Sequence, residues 1–409
     1  MLNKIWVFLF LSAFATATVK LLAWGDTRVF SELMQAMFSL SKTAFEISLG
    51  LTGVLALWMG IMKIGERSGF IELLTRALNP LFLRLMPEIP AHHPALGAIT
   101  LNVAANMLGL DNAATPMGIK AMQEMQTLNP HPERASDAQI LFLVLNTSSV
   151  TLFPVTIFAY RAQLGAANPT DVFIPILIAT YVSTLCGLLA VAYVQKINLL
   201  NKVVLAYLAG ISALILGLLS YFSGLDQSTM LEQSALVSNA ILFSLITAFI
   251  AAAAYQKINA YDLFIEGAKQ GFHTAIGIIP YLVAMLVAFG VFRASGALEL
   301  LTGGIRFIVD FLQLDNRFID GLPTALMKPF SGSGARAMMI DAMQSHGADS
   351  FAGRLASVVQ GSTETTFYVL AVYFGAVNIT HIRHAAACGI IADLSGILAA
   401  ISVTYWFFG

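Results

Sequence analysis

Two pairs of segments in this chain combine small, hydroxylated and ionisable residues as a site for a polar solute or an ion requires. The first pair is Gly109-Leu110-Asp111-Asn112-Ala113-Ala114-Thr115-Pro116 and Phe330-Ser331-Gly332-Ser333-Gly334-Ala335-Arg336-Ala337. The second is Asn146-Thr147-Ser148-Ser149-Val150-Thr151 and Gly361-Ser362-Thr363-Glu364-Thr365-Thr366. Each is a polar or glycine-rich knot ahead of an apolar helical run. Such a knot breaks a helix and frees backbone N–H groups at the start of the next one, where they and the helix dipole favour an anionic or polar group. The candidate substrate- or ion-binding residues are Asn106, Asp111, Asn112, Asn146, Thr147, Ser148 and Ser149, with Ser331, Ser333, Arg336, Gln360, Ser362, Thr363, Glu364 and Thr365.

Any single Ser or Thr in this set serves equally well as a helix cap or an interhelical hydrogen bond. Glu364, Arg336 and Asp111 stand apart, because ionisable groups at membrane depth are costly and mark pathways. Ser362 or Thr363 is expected to cap the helix after the second knot. Glu364 is expected to need either a cation, Arg336 being the candidate, or a bound proton or coupling ion. Asp393 falls inside an apolar run and is expected to face other helices. Enzyme chemistry is not expected. The chain lacks GxxxxGK[ST], GxSxG and HExxH, and His381 and His384 have no evident third metal ligand. No catalytic residue, metal or cofactor is assigned.

The elements that must position these knots lie in a membrane. Of 409 residues 57% are apolar and 11% charged, against roughly 25% charged in a soluble domain. A net charge of −1 leaves no basic excess for nucleic acid. Runs at 5–24, 44–63, 172–194, 203–222, 236–255, 272–292 and 385–407 suit spanning helices. The first also has the look of a signal peptide, with Lys4 ahead of it and Ala15-Thr16-Ala17 within it. Residues 68–88 and 296–313 carry charges inside an apolar pattern and read as interfacial helices. Lys and Arg near 65, 199 and 260 put those loops and the N-terminus in the cytoplasm, and the loop near 229 outside.

An internal repeat explains the paired knots. Ser68-Gly69-Phe70-Ile71-Glu72-Leu73-Leu74-Thr75 recurs as Ser295-Gly296-Ala297-Leu298-Glu299-Leu300-Leu301-Thr302, 227 residues later. Met117–Gln123 matches Met338–Gln344, Thr147–Thr151 matches Ser362–Thr366, and Leu185–Ala190 matches Leu394–Ala399, in the same order. The expected fold is an all-α polytopic membrane protein of two inverted repeats with broken helices or hairpins, joined by one extra transmembrane helix. The divisions are 1–198, the linking segment 199–228, and 229–409. That arrangement is common in secondary transporters.

The knots also carry a resemblance. Asp111 to Met122, with Leu145-Asn146-Thr147-Ser148-Ser149, resembles the spore maturation protein A family; Lys328 to Arg336 and Gln360 to Gly375 resemble the spore maturation protein B family. Both belong to the nucleoside-recognition, or Gate, family, and here the two look fused, with 203–222 as the join. The resemblance implies nucleosides as a solute class. The expected function is alternating-access transport or export of a small polar solute across the inner membrane, with H+ or Na+ as coupling ion, and with a homo-oligomer allowed. The alternative is a non-transporting assembly factor for envelope or spore maturation.

Overall fold

The computed structural model describes residues 2–109, 111–148 and 151–409. Met1, Leu110, Ser149 and Val150 lie outside the described residues, as do the side chains of Leu2, Asp111, Asn112, Ala113 and Leu301. The first eight helices are α1 (Leu2–Trp24), α2 (Val29–Arg67), α3 (Phe70–Leu85), α4 (Pro94–Met107), α5 (Asp111–Thr127), α6 (Asp137–Ser148), α7 (Val155–Gln163) and α8 (Phe173–Gln195). A single helix α9 (Lys202–Ser223) follows. Then come α10 (Gln227–Tyr255), α11 (Ala260–Ala294), α12 (Ala297–Phe311), a 3-10 turn (Arg317–Gly321), α13 (Leu322–Met327), α14 (Gly332–His346), α15 (Phe351–Ser362), α16 (Thr366–Gly375) and α17 (Ala385–Phe408). Among the described residues there is no strand, only an isolated bridge between Arg134 and His381.

Among the described residues, seven helices are long and apolar enough to cross a bilayer: α1, α2, α8, α9, α10, α11 and α17. They coincide with the seven apolar runs. Their ends follow local chemistry: Asn201 and Asp226 accept backbone N–H groups at the starts of α9 and α10. The α3 and α12 helices have 16 and 15 residues, about 22–24 Å of rise, short of the ~30 Å hydrocarbon core. Both begin after a glycine in the left-handed region, Gly69 at φ 76° and Gly296 at φ 85°. A side chain would be strained there. The preceding Ser68 and Ser295 both donate to the carbonyl three residues back, on Gly65 and Phe292. The same bend is thus built twice, 227 residues apart.

The described chain forms two compact units, neither of which is one half of the sequence. The first comprises Met1–Met59, Thr156–Pro169 and Ala268–Gln360; the second comprises Gly60–Val155, Thr170–Gly267 and Gly361–Gly409. Within the first, Ala13, Ala17, Val29 and Leu33 pack with Val287 and Val291. There Arg161 on α7 is fully buried, donating to the Ala348 carbonyl at 2.7 Å and pairing with Asp349 at 3.0 Å, which fixes the loop ahead of α15. The second unit has a core running from Phe82 through Phe142 to Leu370, Phe374 and Cys388. There Arg383 does the corresponding job ahead of α6, donating to the Ala135 carbonyl at 3.0 Å and pairing with Asp137 at 2.7 Å.

The densest packing in the second unit is between α8 and α17. Gln195, at the end of α8, meets His384, at the start of α17, at 3.1 Å. One step back, Gly187 faces Ala392; another step back, Ser183 faces Gly396. Ser183 also donates to the Ala392 carbonyl at 2.9 Å. Moving backward on one helix moves forward on the other, so the pair is antiparallel. Ser183 and Ala392 are repeat partners, as are Gly187 and Gly396, so the contacts are also reciprocal. This predicts that cysteines at Asn198 and Thr380, both exposed, are labelled by an impermeant maleimide from one face of the membrane and a cysteine at Gly409 from the other. Labelling of all three from one face would contradict the antiparallel crossing.

Candidate functional site

The second unit brings Asn146, Thr147 and Ser148 of the first-half knot to its repeat partner. Helix α6 ends at Ser148. The break between α15 and α16 is three residues, Thr363-Glu364-Thr365. The two breaks meet directly, with the Glu364 N–H donating to the Thr147 carbonyl at 2.7 Å. On the α6 side, the Ser148 carbonyl accepts the hydroxyls of Thr180 and Thr184 on α8, at 3.2 and 3.1 Å. On the α16 side, Thr366 donates to Asp393 Oδ2 at 2.6 Å. Asp393 is completely buried and faces other helices, as its setting in an apolar run requires.

Helix α16 starts after Thr365, which makes no side-chain cap hydrogen bond. Neither Ser362 nor Thr363 is placed to cap it: Ser362 is the last residue of α15, and Thr363 Oγ1 is buried without a hydrogen-bond partner among the described residues. The expectation of a cap from these two residues is therefore corrected. Fitting α17 against the break puts Thr363 on Gly396. Glu364 is half-buried, lies within Coulombic reach of Tyr373, and pairs with no cation of its own unit among the described residues.

Beside this lies an asparagine cluster. Asn106 donates to Asn146 Oδ1 at 2.8 Å, and Asn146 donates to the Phe142 carbonyl at 2.9 Å. Asn102 donates across the α4–α5 hairpin to the Ala114 carbonyl at 2.8 Å and approaches the Tyr373 hydroxyl at 3.4 Å. Its Oδ1 is buried and unpartnered among the described residues. The first knot was expected to break the chain across Gly109 to Pro116. The turn falls at its start instead: Gly109 has φ 70°, α5 begins at Asp111, and Pro116 lies inside that helix. A Cβ on Gly109 would meet the Phe153 carbonyl oxygen at 2.6 Å, and Leu152 N–H donates to the Met107 carbonyl at 2.8 Å. The close approach of the strand of chain after α6 thus sets the turn at the glycine. The side chains of Asp111 and Asn112, and all of Ser149, lie outside the described residues.

The first unit holds the remaining candidates. Ser331 caps α14, accepting the Gly334 N–H at 2.9 Å, with the Ser333 hydroxyl 3.3 Å away. Arg336 lies over the Tyr160 ring at 5.9 Å, a cation–π arrangement. The Gln360 carbonyl accepts from the buried Lys328 ammonium at 2.8 Å, and Gln360 Oε1 is buried without a partner among the described residues.

Sequence reasoning missed Asn102, Tyr373 and the hydroxyl face of α8. The last had a signal: Thr180, Ser183 and Thr184 recur at the spacing of one helix face. Among the described residues no group of His, Cys, Asp or Glu is arranged to hold a metal. His384 instead meets Gln195.

Residues 48–164 and 275–380 match the Gate family model, described as nucleoside recognition. Spore maturation protein A of Bacillus subtilis (strain 168) is 45% identical over 152 residues, 37% of this chain and 78% of that protein. Spore maturation protein B of the same organism is 48% identical over 158 residues, 38% of this chain and 85% of that protein. A solved structure of CNTnw in an inward-facing substrate-bound state aligns with a TM-score of 0.39 and 14% identity, covering 97% of this chain and 86% of that one.

Proposed function

Because the chain belongs to the Gate, or nucleoside-recognition, family, we propose that it is a non-enzymatic, multi-pass transporter or exporter of a small polar solute, with nucleosides as the first class to test. The observation that carries this is the junction of the two breaks: Glu364 hydrogen-bonded to Thr147 beside the uncapped start of α16. Backbone N–H groups at such a start and a carboxylate beside them suit a solute that both donates and accepts hydrogen bonds. Broken helices persist at membrane depth only inside protein or beside a water-filled cavity.

The repeat assignment belongs to the same proposal. Segments 1–198 and 229–409 are inverted repeats and 199–228 links them, which the reciprocal antiparallel crossing of α8 and α17 supports. The protein sits in the inner membrane and works by alternating access, H+ or Na+ being the coupling ion. A homo-oligomer is compatible with it. The test is flux: purified protein in lipid vesicles, offered a panel of labelled nucleosides, alongside metabolite profiling inside and outside a deletion strain. Accumulation of one solute on one side in the deletion, with matching flux in vesicles, is expected.

A second reading is favoured by one observation. Asn106, Asn146, Ser148 and Asp393 all have hydrogen-bond partners within the protein, as in a static scaffold. Together with the names of the relatives, this supports an assembly factor in envelope or spore maturation. Unchanged metabolites and no flux, with co-purification of an envelope protein, would select it.

A further inference from the structure

Outside the site already described, the first unit contains a polar cavity of about 370 Å³ between α11, α12, the 3-10 turn and α14. Its charged and titratable groups are Arg293 from α11, Glu299 and Arg306 from α12, Asp320 from the 3-10 turn, and Asp341 and His346 from α14. Arg306 and Asp320 pair with each other at 2.8 Å, both of them well exposed. Asp341 is different. Its side chain is only 9% exposed, and its cation is Arg293, 2.9 Å away and 34% exposed. Arg293 also donates to the Ser345 hydroxyl, so it keeps a partner if Asp341 lets go.

The repeat shows that this pair belongs to one half only. The position matching Asp341 is Lys120, exposed to solvent, and the position matching Arg293 is Glu66, which pairs with Lys63 at 3.1 Å. Both signs are reversed, so this buried ion pair is not shared by the two halves. Asp341 also lies on α14, the helix whose N-terminus carries Ser331, Ser333 and Arg336, and α14 is not one of the seven spans. A change in how α14 is held at Asp341 acts on the helix that presents those candidate residues.

We propose that this cavity is a proton-uptake site, in which Asp341 takes a proton from cavity water and in doing so releases Arg293 to Ser345 and the cavity. The carboxylate gains one proton, its charge goes from −1 to neutral, and the cavity becomes more positive by one unit. Burial pushes the Asp341 carboxyl up to about 6, against the opposing pull of Arg293 and then of His346. The acid is therefore neutral below that value and charged above it. That the proton moves with a solute rests on the transport reading; uptake itself does not.

The experiment uses the full chain in lipid nanodiscs with no solute present. Infrared difference spectra across pH 6 are expected to show a protonated-carboxyl band on the acid side, lost in Asp341→Asn. Asp341→Glu is expected to retain a shifted band, which guards against loss of folding in the amide. Arg293→Gln is expected to move the midpoint upward, since the guanidinium favours the anion. Ser345→Cys is expected to react with a water-soluble maleimide, as a cavity open to water requires. The same band surviving unchanged in Asp341→Asn, or no titration in the wild type near pH 6, would overturn the proposal; so would full protection of the Ser345→Cys thiol. Because the spectra need no solute, a failed titration and a failed flux assay are separate results.

Discussion

Glu364→Gln is expected to lower solute flux by roughly 10- to 150-fold while leaving the protein folded and inserted, the loss of one hydrogen bond to a charged group being about 1.5–3 kcal/mol. The amide keeps the shape of the side chain. The backbone bond from residue 364 to Thr147 is unaffected, because the N–H makes it. What disappears is the charge. A carboxylate at bilayer centre costs ~2.5–3.5 kcal/mol even on the mildest scale. The dipole of a following helix returns only ~0.3–1 kcal/mol. Glu364 has no cation in its own unit among the described residues, so a charged Glu364 needs a cation from elsewhere, a solute, an ion or water to complete it. Full flux of an identified solute by Glu364→Gln would remove this residue from the site. A misfolded Glu364→Gln would show instead in size-exclusion profiles and membrane yield.

Gly396→Leu is expected to destabilise the second unit by about 1–3 kcal/mol or more, as overpacking of a close-packed interior does. A single added Cβ would already sit 2.6 Å from Thr363 Cγ2 and 3.0 Å from Ser183 Cβ. One neighbour is the partner helix and the other is the break that carries Glu364, so stability and flux should fall together. Gly210→Leu on α9 is the control, since nothing lies within 4 Å of a Cβ there. Thermal unfolding in detergent should separate the two variants. Equal midpoints would mean that the α8–α17 contact is looser than described.

The spans and the short amphipathic helices were legible because composition alone decides them. A run of twenty apolar residues has few other fates, and α3 and α12 put their charges at helical spacing. The bends at Gly69 and Gly296 were legible as a repeat, though not as left-handed turns. The knots were legible as interruptions but not in their register. The first knot was read as a break across Gly109 to Pro116, yet the turn belongs to Gly109, where the carbonyl of Phe153 crowds the backbone. Ser362 and Thr363 looked like caps because cap preference is local, whereas Ser362 ends α15 and Thr363 is set against Gly396 on a helix that follows later in the chain. The aromatic seat of Arg336 on Tyr160 was not legible at all, since residues 160 and 336 share no pattern. Nor was the division into two units, each of which takes segments from both halves. Segment sharing of that kind is a property of long-range contacts, and periodicity does not report it.

The crossing of α8 with α17 has a consequence for the birth of the protein. Its two helices are separated by some two hundred residues of nascent chain, and α17 is the last helix in the sequence. At about 5–20 residues per second, α8 waits roughly 10–40 s after leaving the ribosome before its partner is made. Through that interval Ser183 and Gly187 lack Ala392 and Gly396, their contacts on α17. The second unit therefore closes only once α17 has been made. A chain truncated between residues 195 and 385 keeps α8 but never gains its partner helix.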